Sequence, residues 1–181
     1  MESPRRSRLT RQDWTDLGLQ VLETDGFTDL SAQALASRLG VSRGSFYWHF
    51  QDIGDFEAAL VDRWRELIYS ALDRIFETVE SPLDRFELLM RRTLASRRRL
   101  ELALRAWAAV NPRVAAELVG VDARRTENMT RFLTDAGLPA GRAAPLAQLA
   151  YWTYLGHAVT AGRPVEETGA VVDELMKLVT D

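Results

Sequence analysis

The stretch "SAQALASRLGVSRGSFYWHF", residues 31–50, holds two short helical patterns separated by a glycine. Ser31 opens the first pattern, and Ala32, Leu35, Ala36 and Leu39 recur at helical spacing on one face. Gly40 follows, where a left-handed residue costs glycine little. Ser42 then caps a third, very short helix whose Phe46 points back into a small core. Small Ala36 permits a close helix crossing and Gly40 makes the turn, so the spacing is that of a helix-turn-helix. Its other face is free. Arg43, Gly44, Tyr47 and Trp48 fall at i, i+1, i+4 and i+5, a contiguous surface on a helix of 3.6 residues per turn. Residues 30–51 contain no acid but hold Arg38, Arg43 and His49, the local positive field that a phosphate backbone requires. Arginine can read guanine bidentately, aromatic rings can touch thymine methyls, and the hydroxyls of Ser42, Ser45 and Tyr47 suit phosphate oxygens. One residue at a time, these are half-buried scaffold aromatics and a solvated arginine. Taken together they describe a DNA-reading surface.

Outward from this stretch, almost every segment has helical period, and no run of β-branched alternation is long enough for a sheet, so the chain is expected to be all-α with about nine helices. A first helix starts at Thr10 with Asp13 three residues on, a capping-box pattern, and carries Trp14, Leu17, Val21 and Leu22 on one face. Gly26 ends it. From Asp52 a long helix with Phe56, Leu60, Trp64, Leu67, Ala71 and Ile75 on its inner face runs to about Val79. Ser81 and Pro82 start another, as do Asn111 and Pro112. "DAGLP" at 135–139 ends a helix, and "AGRP" at 161–164 precedes a last amphipathic one with Val165, Val172, Leu175, Leu178 and Val179. There is no internal repeat and no low-complexity linker. The expected organisation is a helix-turn-helix domain over residues 1–51 and a larger helical domain over 52–181.

Composition sets limits on both. With 181 residues the chain can build one ordinary core, or a small domain joined to a larger one. Its 46% hydrophobic and 27% charged residues are globular, and a formal charge of -3 means that any basic footprint is local. The absence of cysteine excludes disulfides and thiolate metal sites. "MESPRRSRLT" has arginines with no apolar run behind them, which is no secretory signal, so a cytoplasmic protein is expected. Residues 143–162 carry no Asp, Glu, Lys or Arg over a membrane-scale length, but Pro145, Gln148, His157 and several alanines make them poor spanning material.

"FTDLSAQALASRLGVSRGSFYWHF", residues 27–50, resembles the DNA-binding half of the tetracycline-repressor (TetR) family of bacterial regulators. The resemblance covers about residues 10–60, and "GVSRGSFYWHF" carries most of it. It implies a three-helix DNA-binding domain, a larger helical domain that binds a small molecule, and a homodimer on a palindromic operator. Carried over, Ser31 and Gln33 would meet DNA, Arg43, Gly44 and Trp48 would face bases, and Ser42, Ser45, Tyr47 and His49 would lie against backbone. One position departs. The family usually has a phosphate-gripping lysine three residues after the phenylalanine matching Phe50; here that residue is Ile53. Arg5, Arg6 and Arg8 in the N-terminal arm are the candidates to compensate by reaching phosphates or the minor groove.

Beyond residue 60 the resemblance supplies architecture and no residue matches. The helix over 141–162, free of charge from 143 on, has Ala143, Leu146, Ala147, Ala150, Tyr151, Tyr154 and Ala158 on one stripe, with Leu149, Trp152, Leu155 and Val159 apolar elsewhere. A helix apolar all round is buried all round. One side is therefore expected on its own core and the other on a second copy, with Leu146, Ala147, Ala150, Tyr151, Tyr154 and Ala158 as the candidate dimer interface; a central core helix in a monomer is the alternative. Trp64, Phe86, Met90, Trp107, Met129 and Phe132 are candidates for a pocket taking an apolar or amphipathic effector, against plain core packing. "RRTLASRRRLELALR", residues 91–105, reads as a solvated charged face, the alternative being a pocket arginine for an anionic ligand. No catalytic residue, cofactor site or metal spacing is found: His49 and His157 are the only histidines, on different helices, and no nucleophile has a visible base. His157 reads as a hydrogen-bonded core or interface histidine. The expectation is a non-enzymatic transcription regulator, most simply a repressor released from its operator by a small molecule. An activator or a ligand-independent regulator is the alternative. An all-α interaction or enzyme module with a helix-turn-helix-like corner is the reading from another class.

Overall fold

The structure, a computed structural model, describes residues 9–95, 99–160 and 165–180. Among them are nine α-helices and no strand: α1 (Arg11–Thr24), α2 (Ala32–Leu39), α3 (Arg43–Tyr47), α4 (Ile53–Thr78), α5 (Pro82–Ala95), α6 (Arg99–Ala108), α7 (Pro112–Asp135), α8 (Ala140–Val159) and α9 (Val165–Thr180). Two compact units divide the chain, one reaching to Leu67 and the other starting at Ile68. The boundary expected after residue 51 lies at the start of α4, whereas the units part within that helix. The reason is that Phe56 and Leu60 of α4 are wholly buried and lie against α1, beside Gly18.

Local chemistry accounts for the helix ends. Thr10 accepts from the Asp13 backbone while Asp13 reaches back to the Thr10 N–H, the reciprocal cap expected of that pair. Ser31 Oγ accepts from the Ala34 N–H at 3.2 Å, and Gly40 takes φ 66°, so α2 is fixed at both ends. Ser42 stands at the N-cap of α3, but its side chain makes no capping hydrogen bond, contrary to expectation. Ser81 Oγ caps α5 through Asp84, and Asn111 Oδ1 caps α7 through Arg113 and Val114. Gly137, at φ 99°, turns the chain after α7.

An aromatic cluster forms the core of the first unit. Phe46 meets Trp14 edge-on at 5.5 Å, Phe50 at 5.0 Å and Phe56 at 5.5 Å between ring centroids. α1 and α4 approach so closely at Gly18 that a Cβ there would sit 2.6 Å from the Phe56 ring and 2.8 Å from Leu60. Arg63 Nε of α4 donates to Asp16 of α1 at 2.7 Å beside this crossing. Leu17 and Leu39, expected inside, are only half-buried; Thr15, Gly18 and Leu19 complete the buried face of α1.

In the second unit, α5, α7, α8 and α9 enclose a core built on Phe86, Met90, Phe132, Leu133, Tyr151 and Val172. The inner face of α4 is not the expected stripe. Leu67 is exposed and Ala71 half-buried, while Leu72 and Ile75 are buried, because the buried row advances by four residues through Ile68 and not by three. Leu178 of α9 is exposed, and Val172, Leu175 and Val179 face inward. No helix among the described residues is long and apolar enough to cross a membrane.

Candidate nucleic-acid interface and ligand cavity

The first unit presents the polar and aromatic residues of α2 and α3 to solvent. Phe46 is fully buried, while Trp48, two residues on, is 82% exposed and Tyr47 is 47% exposed. Ser31, Gln33, Ser42, Arg43 and Gly44 are exposed; Ser45 and His49 are half-buried at the edge of the same surface. Arg43 donates to the Tyr47 hydroxyl at 2.9 Å and its guanidinium stands over that ring at 5.5 Å, so the two side chains are held as one group. Ser31 serves its own helix as a cap, which leaves the hydroxyl only part of its hydrogen-bonding capacity for a ligand. The Ser42 hydroxyl makes no hydrogen bond among the described residues, and neither does the Gln33 amide.

Charge at this surface differs from the count along the sequence. Arg38 pairs with Asp25 at 2.9 Å, so the positive field rests on Arg43 more than its three bases suggest. Ile53 opens α4 with its apolar side chain exposed and supplies no cation. Nearby Arg11 does not stand in for it. Its guanidinium pairs with Asp55 at 2.7 Å, lies over Phe50 at 4.4 Å and donates to the His49 carbonyl. Arg11 and the Gln51 N–H hold Asp55 below the ordinary carboxylate range. Arg5, Arg6 and Arg8 lie outside the described residues.

The second unit contains a cavity of about 240 Å³ among α4, α5, α7 and α8. Its walls are Ile68, Leu72, Ile75, Leu89 and Met129, and its polar groups come from Arg92, Thr93, Arg125 and Tyr154. Of the six residues expected to line a pocket, Met129 alone does so. Phe86, Met90 and Phe132 are fully buried core; Trp107 is buried away from the cavity, and Trp64 belongs to the first unit. Large apolar side chains fill a core because of their volume, so their presence in a sequence does not locate its cavities.

Beside the cavity lies a buried ion cluster that sequence reasoning missed. Glu101 of α6, its side chain 5% exposed, accepts from Arg125 of α7 through both oxygens at 3.1 and 3.0 Å and from Arg105 at 2.7 Å. Arg105 also grips Asp122 and donates to the Tyr151 hydroxyl of α8 at 2.9 Å. Burial pushes the Glu101 carboxyl up, but the guanidiniums of Arg125 and Arg105 outweigh it and hold the group below its ordinary value. Burial, and then the charge of Glu101, pushes the Tyr154 phenol up to about 12. Glu101 and Arg105 stand four residues apart within the charged run, a visible signal for half of this cluster. His157 Nε2 bonds the Leu94 carbonyl at 3.1 Å, a paired histidine as expected. No group of metal-ligand residues occurs among the described residues.

The stripe expected at a dimer interface faces the chain's own core instead. Ala147, Ala150, Tyr151, Tyr154 and Ala158 are all buried within the second unit, and Leu146 is half-buried against it. What α8 exposes is the opposite side: Trp152 at 62%, Val159 at 70% and Leu149 at 41%. α9 adds exposed Val171 and Leu178, and Arg142 at the start of α8 donates to the Leu178 carbonyl near the end of α9.

Residues 15–59, spanning α1 to the first turns of α4, match the family described as bacterial regulatory proteins, tetR family. Over this segment the chain is similar to the TetR family. It is 29% identical over 150 residues to the class C tetracycline repressor protein of Escherichia coli, an alignment covering 81% of this chain and 64% of that protein. It is 28% identical over 95 residues to the nucleoid occlusion factor SlmA of Aliivibrio fischeri, covering 52% of this chain and 48% of the relative. The chain therefore spans less than two thirds of the length of these curated relatives. Two solved structures share the fold. A transcriptional regulator from Rhodococcus sp. Rha1 superposes with a TM-score of 0.76 at 20% identity, covering 94% of this chain and 96% of that one. A TetR-family regulator from Agrobacterium tumefaciens gives 0.69 at 16% identity, covering 93% and 98%.

Proposed function

We propose that the chain is a homodimeric, DNA-binding transcription repressor of the cytoplasm, released from a palindromic operator by a small molecule. The observation that carries DNA binding is the contrast within α3. Its core is complete with Phe46 buried, yet Trp48 and the paired Arg43 and Tyr47 project outward, Tyr47 with one edge against Phe46 and much of its surface in solvent. In this reading Arg43, Gly44 and Trp48 face base edges, Gln33 reaches a base from the start of α2, and Ser31, Ser42, Ser45, Tyr47 and His49 hold backbone phosphates. Arg5, Arg6 and Arg8 replace the phosphate anchor that Ile53 cannot provide. Selecting DNA fragments with the purified protein tests this. A palindrome recovered with salt-dependent affinity is expected, and failure to enrich any sequence would overturn it.

The 240 Å³ cavity favours a ligand-released repressor over a ligand-independent regulator. Similarity to a tetracycline repressor fits the first reading, and similarity to a nucleoid occlusion factor fits the second. An effector that fits a dimer with misplaced reading heads would draw the population off DNA. The dimer is assigned to the exposed apolar side of α8 with α9, since a face already buried in its own core has nothing left to offer a second copy. Trp152→Glu should therefore convert a dimer to a monomer by light scattering with its melting temperature nearly unchanged. A dimer that survives this change places the interface elsewhere.

A further inference from the structure

The cavity of the second unit carries one positive charge that the fold does not balance. Arg105 and Arg125 meet Glu101 and Asp122, two cations with two carboxylates. Arg92 of α5 also lines the cavity, is exposed, and makes no hydrogen bond or ion pair among the described residues. No acid lines the space. Thr93, Tyr154 and the paired Arg125 supply its other polar groups, and Leu72, Ile75, Leu89 and Met129 give most of the wall as hydrocarbon. An apolar slot with a single uncompensated guanidinium complements a molecule with an apolar body and one negative charge. A neutral apolar ligand would leave Arg92 as it is, and a cation would be repelled by it. At about 240 Å³ the cavity has room for roughly eight water-sized groups, each occupying about 30 Å³.

We propose that this cavity binds a small monoanionic amphiphile, an aliphatic or aromatic carboxylate, with its carboxylate at Arg92 and its hydrocarbon against Leu72, Ile75, Leu89 and Met129. Its action as an effector rests on the repressor reading above; its binding does not. Arg92 also stands in the last turn of α5, where a cation is favourable in its own right, so ligand charge and not stability is the quantity to read.

The experiment is calorimetric titration of the whole chain, without DNA, with octanoate, 1-octanol and octylamine. Octanoate should bind about tenfold more tightly than octanol, the worth of one charge-assisted contact, and octylamine more weakly than either. Arg92→Gln should bring octanoate to the level of octanol. Ala71→Phe, filling the wall of the cavity, should abolish binding of both while the protein still melts cooperatively; if that variant does not fold, the exposed Arg92→Gln carries the test alone. Octanol binding as tightly as octanoate, octanoate indifferent to Arg92→Gln, or no binding by any of the three overturns the assignment. Octanoate that binds as expected but leaves the protein on its selected operator confirms the site and overturns only its role as effector.

Discussion

The two units use charge in opposite ways. The first keeps its ion pairs at the surface, Arg11 with Asp55 and Arg38 with Asp25, around a core of aromatic and aliphatic groups that buries Thr15 but no charged side chain among the described residues. The second buries Glu101 between two arginines beside a cavity. A surface pair contributes little to stability, whereas a buried pair has lost its water and depends on every partner. Substitutions on the exposed face of the first unit should therefore change recognition and leave folding alone, while those at the polar centre of the second should unfold it.

The sharpest break in that contrast is Glu101→Ala, which leaves the two arginines, Arg105 and Arg125, with Asp122 as their one remaining carboxylate in the cluster. With Asp122 still beside both arginines, it should cost a few kcal/mol, roughly 3, by denaturant unfolding. The same group sets an acid limit. Its folded value lies below the ordinary 4.5, so its contribution is complete above that pH and is lost as pH falls through the folded value. The wild type should lose melting temperature below about pH 4.5 more steeply than Glu101→Gln does. Parallel curves would place the acid sensitivity elsewhere.

Gly18→Ala probes the first unit where it is least tolerant. A methyl 2.6 Å from the Phe56 ring must push that ring aside, and overpacking of this kind costs about 1–3 kcal/mol. An unchanged unfolding midpoint would show that the crossing of α1 and α4 is looser than described. The smallest effect is expected of Tyr47→Phe. It removes the hydroxyl that receives Arg43, and stability should move by less than about 0.5 kcal/mol at so exposed a place. If Tyr47 only holds a phosphate, all DNA sequences weaken alike; if it also positions Arg43, base preference at the pair read by Arg43 relaxes with it.

Much of the first unit was legible because its signals are local. Ser31, Gly40 and the spacing from Arg43 to Trp48 each describe one turn of chain, and the structure places them as read. Long-range pairing was hidden: nothing along the sequence links Arg38 to Asp25, or brings Arg125 and Asp122 of α7 to Glu101 and Arg105 of α6. α8 misled for a related reason. With apolar residues on every side, its pattern cannot say which stripe faces the chain's own core, and alanines fit the close helix packing there while Trp152 is left outside. The cavity was missed because its walls are ordinary aliphatic positions, and only Met129 stood out.

Arg43→Ala is the decisive variant for the proposal that α3 is exposed in order to read DNA. Binding to the selected operator and its single-base variants should be measured across a salt series, with melting of the same protein alongside. A loss of about 1–3 kcal/mol, relaxed preference at one base pair and an unchanged melting temperature are expected. Affinity and base preference both intact in the Arg43→Ala protein would contradict that proposal.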